Sequence, residues 1–390
     1  MSVTVDASHA ARDDRRDAEA SAPPELARYS RQMLFERIGE EGQRRLRHAN
    51  VTLVGCGALG SVLAGTLVRA GIGSLRIIDR DYLELSNLQR QTLFDEHDVA
   101  ANLPKSEAAA RKLRKINSTV EIEPVIADLN PRNVETLAGD ADLILDGTDN
   151  LETRFLINDV AVKRDLPWVY GACIGAEGLV LAILPRRTPC LRCIWDELPP
   201  PGTTPTCDTV GVLAAAVQIV ASLQATEAMK ILIGREAELN GLMTVDAWAG
   251  RVRMLNVQAA FDAGDCPCCK LGRYEYLDGD KLSATTTLCG RNAVQVLPAA
   301  CPSPSGSEGP ADAAAVSAVS SSGPPSPARV DFAAIAARLP KSARAKHNEF
   351  MLRFTIDAYR VTLFADGRAI IEGTSDPAVA RGVYAKYVGV

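Results

Sequence analysis

The sequence lacks the features that mark membrane, secreted and nucleic-acid-binding proteins. No apolar run approaches the roughly 20 residues that a membrane-spanning helix needs. Residues 1–27 contain no apolar segment of the kind found in secretion signals. With 43 basic and 48 acidic side chains the net charge is −5, so no overall attraction to nucleic acid is expected. We therefore expect a cytoplasmic protein that binds neither membranes nor nucleic acid.

Cysteine, in contrast, is not scarce. The chain has ten cysteines and no secretion signal, a combination typical of thiols in a reducing compartment. Such thiols serve metal binding or chemistry rather than a disulfide framework. Hydrophobic residues make up 47% and charged residues 23% of the chain, so it can bury a sizeable core.

Composition divides the chain into four regions. Residues 1–27, rich in Ala, Asp, Arg and Ser, are expected to form a disordered tail. Residues 28–280 alternate apolar strand-like runs with helical patterns, which predicts an α/β domain with a mostly parallel sheet flanked by helices. Residues 281–328 form a connecting segment, and its part 299–328, dominated by Pro, Ser, Ala and Gly, indicates a disordered linker.

Residues 329–390 return to periodic patterns and predict a small α+β module. One further strand, before the linker, could complete this module. The expected elements are helices at Val330–Leu339 and Pro377–Tyr387 and strands at Phe350–Ile356, Tyr359–Phe364, Arg368–Ile371 and Ala293–Leu297.

A glycine-rich turn, GCGALG at Gly55–Gly60, follows the predicted strand Asn50–Val54 and precedes an apolar helix at Ser61–Ala70. This strand–turn–helix order is the one that a nucleotide-binding fingerprint requires. The next strand, Ser74–Ile78, ends at Asp79, where a carboxylate can hold ribose hydroxyls. The glycines that would let the backbone approach a phosphate are Gly55, Gly57 and Gly60.

Polar and basic residues follow Asp79, unlike the pattern of a dehydrogenase. The segment SNLQRQ contains Asn87, Arg90 and Gln91, and Lys105 follows at the predicted start of the next helix. Guanidinium and ammonium groups neutralise phosphate charge during attack on a triphosphate. These residues therefore favour ATP chemistry over hydride transfer.

The segment DGTDN follows another predicted strand, Asp142–Leu145, and contains Asp149. Ligands bind at the carboxyl ends of strands in an open α/β sheet, so a carboxylate there is well placed to hold Mg²⁺. The alternative is that Asp149 caps the helix that begins around Leu151.

These motifs, with RYSRQ at Arg28–Gln32 and in this order and spacing, resemble those of the E1-like adenylyltransferases called ThiF, MoeB and HesA. The resemblance covers residues 28 to about 270 and implies a Rossmann-like E1 fold. It also implies ATP-dependent adenylation of the C-terminal glycine of a small ubiquitin-like sulfur carrier protein that ends in Gly-Gly. Pyrophosphate would be released. Because that carboxylate is already ionised at neutral pH, the reaction needs no general base, consistent with only four histidines, none in these motifs.

The resemblance also implies roles for individual residues. Asp149 would coordinate Mg²⁺, and Arg31 would reach into the ATP site of a second subunit, which implies a homodimer. Asp79 would bind the ribose, and the phosphates would be contacted by Asn87, Arg90 and Lys105.

Four cysteines form two C-x-x-C pairs, Cys190 with Cys193 and Cys266 with Cys269. Two such pairs predict a closed four-thiolate Zn²⁺ site of structural type, which the resemblance also implies. Cys268 is an alternative to Cys269 as the fourth ligand. The alternatives for the pairs themselves are a redox dithiol and structural thiols that bind no metal.

Cys207 lies in a segment with prolines and glycine, before an apolar helix expected to begin near Val210. A thiol at a loop–helix junction can act as a nucleophile, and the resemblance associates this cysteine with covalent linkage to the carrier or with transfer from a sulfur donor. The alternative is a lone thiol without a role. Cys56 and Cys173 are expected to be small buried residues. Cys289 near the linker is ambiguous, with persulfide handling as one hypothesis.

Other functions are less favoured. An NAD-dependent Rossmann oxidoreductase does not account for Arg90, Lys105 and Asp149, and intact motifs argue against a non-catalytic scaffold. A relative that activates a tRNA carboxylate for dehydration remains an alternative, although the acidic balance offers RNA no evident surface. The region after residue 280 shows no rhodanese-type cysteine loop. Whether the carrier serves thiamin, molybdopterin or another sulfur pathway is left open.

Overall fold

The computed structural model describes Pro23 and residues 25–199, 206–239, 241–281, 287–288, 292–296 and 330–389. The chain separates into two compact units, Met1–Leu282 and Ser283–Val390. The expected linker 299–328 and Cys289 lie outside the described residues.

The first unit is built on an eight-stranded sheet in the order β3-β2-β1-β4-β5-β6-β7-β8. Strands β1 to β5 run parallel, and β6, β7 and β8 extend the sheet in antiparallel fashion. The strands are β1 (Asn50–Val54), β2 (Ser74–Ile78), β3 (Glu121–Val125), β4 (Leu143–Asp146), β5 (Trp168–Ile174), β6 (Glu177–Ile183), β7 (Leu242–Asp246) and β8 (Arg251–Leu255).

The strand order creates a crevice beside β1. The chain proceeds outward from β1 through β2 to β3, then returns to the other side of β1 with β4 and β5. Because the connections diverge at that point, ligands of open α/β sheets bind beyond the carboxyl ends of the two central strands. The predicted glycine turn follows β1 and DGTDN begins at the end of β4, so both segments lie at this crevice.

Helices cover both faces of this sheet. Along β5 the residues alternate: Trp168 and Tyr170 join a core with Phe155 of α7, whereas Gly171 faces α10. Helix α10 is mostly apolar, since it is buried along much of its length. The helices are α1 (Ser30–Met33), α2 (Gly39–His48), α3 (Ala58–Ala70), α4 (Glu96–Ala100), α5 (Lys105–Ile116), α6 (Val134–Ala138), α7 (Leu151–Arg164), α8 (Leu191–Ile194), α9 (Cys207–Val210), α10 (Ala214–Leu232) and α11 (Gln258–Asp262).

Three local predictions need correction. Helix α3 begins at Ala58, inside the glycine turn, rather than at Ser61. The helix expected near Val210 is two elements, the single turn α9 and, after Leu213, α10. The expected tail 1–27 extends too far toward its C-terminal end, because Leu26 is fully buried.

Within the described part of the chain, no helix combines the length and apolar character needed to cross a bilayer.

In its described residues the second unit is a six-stranded antiparallel sheet with two α-helices; the periodicity predicted four of these strands and both helices, and the two-residue strands at Thr287–Leu288 and Lys346–His347 were not expected. Its strand order is β11-β12-β13-β14-β10-β9, so the segment before the expected linker does contribute a strand. Asp376 caps the last helix and a proline occupies its first turn, a favourable start. The elements are β9 (Thr287–Leu288), β10 (Ala293–Val296), α12 (Phe332–Arg338), β11 (Lys346–His347), β12 (Met351–Ile356), β13 (Tyr359–Phe364), β14 (Ala369–Glu372) and α13 (Pro377–Tyr387).

Candidate functional site

The glycine turn is closely packed against the loop that follows β4. Gly55 has a φ of +86°, a left-handed conformation that favours glycine. A Cβ on Gly60 would lie 2.0 Å from the Gly55 carbonyl oxygen, and a Cβ on Gly147 would lie 2.3 Å from the same oxygen. Glycine at these positions therefore permits a backbone arrangement that no larger residue allows.

Asp79 directly follows β2, and its carboxylate is hydrogen-bonded to the turn that follows β1. Its Oδ2 accepts the backbone N–H of Cys56 at 2.6 Å, and its Oδ1 accepts that of Asp81 at 2.7 Å. Burial raises the pKa of Asp79, and the nearby Lys105 ammonium opposes that effect. Each carboxylate oxygen has two lone pairs, so a ribose hydroxyl could still be accepted.

Lys105 lies at the first position of α5 with its side chain 5% exposed. Its ammonium contacts Asp81 Oδ2 at 2.9 Å, and its backbone N–H donates to the Asp81 carbonyl oxygen at 2.9 Å. A buried cation at the positive end of a helix dipole is unfavourable, and Asp81 offsets it. The structure thus brings Asp79, Asp81 and Lys105 together, although the sequence did not single out Asp81.

The SNLQRQ segment begins with one turn of 3-10 helix, Leu85–Asn87. Asn87 is buried and its Oδ1 accepts the Glu84 N–H at 3.0 Å, while the half-buried Arg90 donates to the Ser86 carbonyl at 2.9 Å. These bonds hold the segment's backbone in shape.

Gln91 lies next to the glycine turn. A Cβ on Gly57 would be 3.9 Å from Gln91 Nε2. Gln91 is 3% exposed, and its Oε1 is buried without a hydrogen-bond partner among the described residues. An unsatisfied buried acceptor is uncommon and fits a site that a ligand completes.

In the DGTDN loop, Asp149 is exposed at the crevice. The cap of α7 is Asn150, whose side chain accepts the Thr153 N–H at 3.0 Å, so the alternative that Asp149 caps this helix is wrong. The Asp149 carboxylate is among the charges that raise the pKa of Arg154, where burial acts in the opposite direction.

Sequence reasoning missed the buried ion pair beneath this loop. Asp146, fully buried at the end of β4, accepts the Arg154 Nε–H at 2.9 Å. Arg154 lies in the first turn of α7, eight positions after Asp146, and the available signal was an arginine directly before the apolar residues Phe155, Leu156 and Ile157.

Arg31 lies on α1 and is exposed. Its predicted reach into a second copy of the chain stays a prediction. The neighbouring Leu34 and Phe35 are 47% and 56% exposed, an unusual degree for large apolar side chains next to each other.

The two C-x-x-C pairs meet, with the four sulfur atoms within 4.8 Å of one another. Three of the Sγ–Sγ distances are 3.6 Å for Cys190–Cys266, 3.4 Å for Cys193–Cys269 and 3.9 Å for Cys190–Cys193. A tetrahedral zinc with bonds of about 2.3 Å requires sulfur separations of about 3.8 Å. The cluster therefore fits Zn²⁺.

Cys268 has a different environment. It is fully buried, and its sulfur accepts a hydrogen bond from Asn158 Nδ2 at 3.3 Å. The same Asn158 accepts the Leu191 N–H through Oδ1 at 2.8 Å, next to the first cysteine pair. Geometry thus favours Cys269 in the four-sulfur cluster and gives Cys268 a place in the surrounding hydrogen bonds.

Cys207 is the first residue of α9, and its sulfur contacts the Cys173 carbonyl oxygen at 3.5 Å. Cys173 is partly exposed rather than buried as expected, and burial still raises the pKa of its thiol to about 12. Cys56 is buried as expected, and burial also raises its pKa. Of these three thiols, Cys207 alone lies at a helix start.

Comparison with known proteins finds a matching family and similar enzymes. Residues 29–268 match the model of the ThiF family. Over 364 residues the chain is 40% identical to a Bacillus subtilis (strain 168) protein named sulfur carrier protein ThiS adenylyltransferase, covering 93% of this chain and 99% of that one. It is 38% identical to the SAMP-activating enzyme E1 of Haloferax volcanii, covering 65% of this chain and 92% of that protein.

A solved structure shares the fold. The crystal structure of E. coli MccB with ATP superposes with a TM-score of 0.54 at 22% identity, covering 62% of this chain and 74% of MccB. At that identity the likeness concerns the fold alone.

Proposed function

The chain belongs to the ThiF family and is an adenylyltransferase, and from this premise we propose that it activates the C-terminal glycine of a small ubiquitin-like sulfur carrier protein. The observation that carries the proposal is the crevice at the ends of β1 and β4, where Asp79, Lys105 and Gln91 surround the glycine turn. The names of the similar proteins from B. subtilis and H. volcanii support a carrier protein as substrate.

In the proposed reaction, a carboxylate oxygen of the carrier attacks the α-phosphorus of ATP. A new O–P bond forms, the bond to the β-phosphate oxygen breaks, and pyrophosphate leaves. We propose that Asp79 orients the ribose, and that Asn87, Arg90 and Lys105 neutralise charge on the phosphates. Mg²⁺, held by Asp149, would shield the phosphate oxygens from the incoming carboxylate.

No histidine or other base is required in this scheme, because the attacking carboxylate is already ionised at neutral pH. The protein contributes position and positive charge instead. Cys207 would act after adenylation: its thiolate would attack the acyl carbon of the carrier adenylate to form a thioester and release AMP, or would take the outer sulfur of a donor protein's persulfide, from which the donor's thiolate would leave. Zn²⁺, bound by Cys190, Cys193, Cys266 and Cys269, would be structural, since four thiolates leave no position for substrate.

We propose that the carrier docks on the outer edge of the sheet at β8. All five residues of β8 are exposed, including Val252 and Met254 at 51% and 54%, and no described strand pairs with its outer edge. Such an edge can pair with a strand of another chain. Trp248, 83% exposed in the β7–β8 turn, lies at the carboxyl end of β7, which is the edge of the sheet that carries the crevice.

A second copy of the chain would complete the site. Arg31 and the exposed Leu34 and Phe35 lie on the same short stretch, which supports a homodimer interface there. Each subunit would then supply Arg31 to the other's ATP.

The test is ATP–pyrophosphate exchange with Mg²⁺, with and without carrier proteins that end in Gly-Gly. We expect exchange that depends on one carrier, and that carrier would identify the pathway. Arg90→Ala and Asp149→Ala should abolish exchange while zinc content stays unchanged. Matched controls are Arg132→Ala and Asp278→Ala, which remove exposed charges of the same type elsewhere. Full exchange activity in Arg90→Ala or Asp149→Ala would contradict the proposed roles of these residues. Absence of exchange with every carrier would favour another carboxylate substrate, and tRNA would be tested next.

A further inference from the structure

The buried arginine below the DGTDN loop has no role in the reaction described so far. Arg154 is 6% exposed, and its partner Asp146 is fully buried. Keeping two charges out of water is costly, and breaking such a pair by removing one member leaves the other uncompensated. An apolar pair could fill the same space, so the ion pair points to a need for directional bonds.

The guanidinium of Arg154 bonds in three directions. Its Nε donates to Asp146 Oδ2 at 2.9 Å, and one Nη donates to the Thr148 carbonyl at 2.6 Å and to the Gly171 carbonyl on β5 at 2.9 Å. The Tyr170 ring lies 5.1 Å from its central carbon. A planar fork can hold several acceptors in fixed geometry in a way that a lysine cannot.

The side chain of Asp146 also holds the loop that Arg154 contacts. Asp146 Oδ1 accepts both the backbone N–H of Thr148 at 2.9 Å and its hydroxyl at 2.7 Å. Gly147, between them, packs against Gly55. Asp149 directly follows Thr148. The backbone of Asp149 therefore continues from a segment that is held by Asp146 and by Arg154.

We propose that Arg154 is a positioning residue for adenylation: it clamps residues 146–148 onto β5 and thereby directs the Asp149 carboxylate at the metal-bearing phosphates of ATP. This inference rests on the proposed function. The charge of the Arg154 guanidinium is consistent with this role. Burial lowers the pKa of Arg154, but Asp146, Tyr170 and Asp149 outweigh that effect, and the guanidinium stays charged.

The test compares Arg154→Lys with Arg192→Lys. Arg192 is 3% exposed and paired with Glu275 at 3.0 Å, so it is an equally buried arginine, near the cysteine cluster instead of the crevice. Two quantities are measured for each variant: the Mg²⁺ concentration that gives half-maximal exchange, and the calorimetric affinity for ATP with and without Mg²⁺. Zinc content and far-UV circular dichroism report folding.

For Arg154→Lys we expect the half-maximal Mg²⁺ concentration to rise about tenfold and the exchange rate to fall about 100-fold, as for displacement of a reacting group by about 1 Å. Affinity for ATP without Mg²⁺ should stay within about threefold, because the glycine turn and Asp79 remain. Arg192→Lys should leave the Mg²⁺ dependence unchanged. An unchanged Mg²⁺ dependence in folded Arg154→Lys, or the same change in Arg192→Lys, would overturn the proposal.

Thr148→Val provides a milder second variant, since it removes one hydroxyl donor from the same loop and retains side-chain shape. We expect a smaller shift of the Mg²⁺ dependence in the same direction, and no shift would count against the proposal if Arg154→Lys does not fold. Calorimetry of Mg²⁺ and ATP needs no carrier. Absence of exchange in the unaltered chain would therefore refute the proposed substrate without deciding the role of Arg154.

Discussion

Replacing Gly60 with alanine adds a single methyl group at the closest approach in the crevice. The added Cβ would lie 2.0 Å from the Gly55 carbonyl oxygen, about 1 Å closer than real Cβ contacts come, and 2.9 Å from the Gly55 carbonyl carbon. Both atoms belong to the backbone of the glycine turn, so the turn itself must move. Overpacking costs about 1–3 kcal/mol, and a contact with backbone belongs at the upper end. Alanine regains at most about 1 kcal/mol of helix propensity, which leaves a net loss of about 2 kcal/mol.

Gly65→Ala in the same helix is the matched control. There the added Cβ would meet only the end of the flexible Arg69 side chain, at 3.3 Å. We expect Gly65→Ala to stabilise the chain by about 0.5–1 kcal/mol through helix propensity. The two variants should thus differ by about 3 kcal/mol, or about two orders of magnitude in the unfolding equilibrium.

The assay is chemical denaturation combined with calorimetric ATP binding for Gly60→Ala, Gly65→Ala and the unaltered chain. Gly60→Ala should lose measurable ATP binding because the displaced turn no longer presents its N–H groups to phosphate. Gly65→Ala should bind ATP normally. The reasoning is refuted if Gly60→Ala binds ATP like the unaltered chain and is as stable as Gly65→Ala.

Two other outcomes test the metal cluster and the docking edge. Cys266→Ser should lose most bound zinc and unfold at lower temperature, whereas Cys268→Ala should retain about one zinc per chain by metal analysis; zinc loss in Cys268→Ala would contradict the choice of ligands. Trp248→Ala should raise the KM for the carrier about tenfold with the KM for ATP unchanged, as for loss of an exposed aromatic anchor. Leu271→Ala, which removes another exposed apolar side chain, is its control, and equal effects in the two variants would count against docking at β8.

Local patterns in the sequence determined much of the fold. The strands at Asn50–Val54 and Ser74–Ile78 and the closing helix Pro377–Tyr387 appear with the predicted bounds, because alternation, helical periodicity and caps act over a few residues. The glycine turn was likewise readable, since its chemistry depends on neighbours in the chain. Helix boundaries near Cys207 were not, because the break between α9 and α10 depends on backbone hydrogen bonds to a distant turn: the Gly175 N–H donates to the Gly211 carbonyl, and the Leu213 N–H donates to the Gly175 carbonyl.

Only the tertiary structure decided which distant groups meet. The cysteine pairs lie 76 positions apart and join through α7, whose Asn158 holds Cys268 outside the four-sulfur cluster. The pairing of Asp146 with Arg154 depends on the packing of β4, β5 and α7 at one point. The placement of the antiparallel strands β6 to β8 depends on the sheet edge at β5, beside which β6 pairs. The physical reason is that such contacts are selected by burial and by the satisfaction of buried polar groups. Neither quantity exists until the chain has folded.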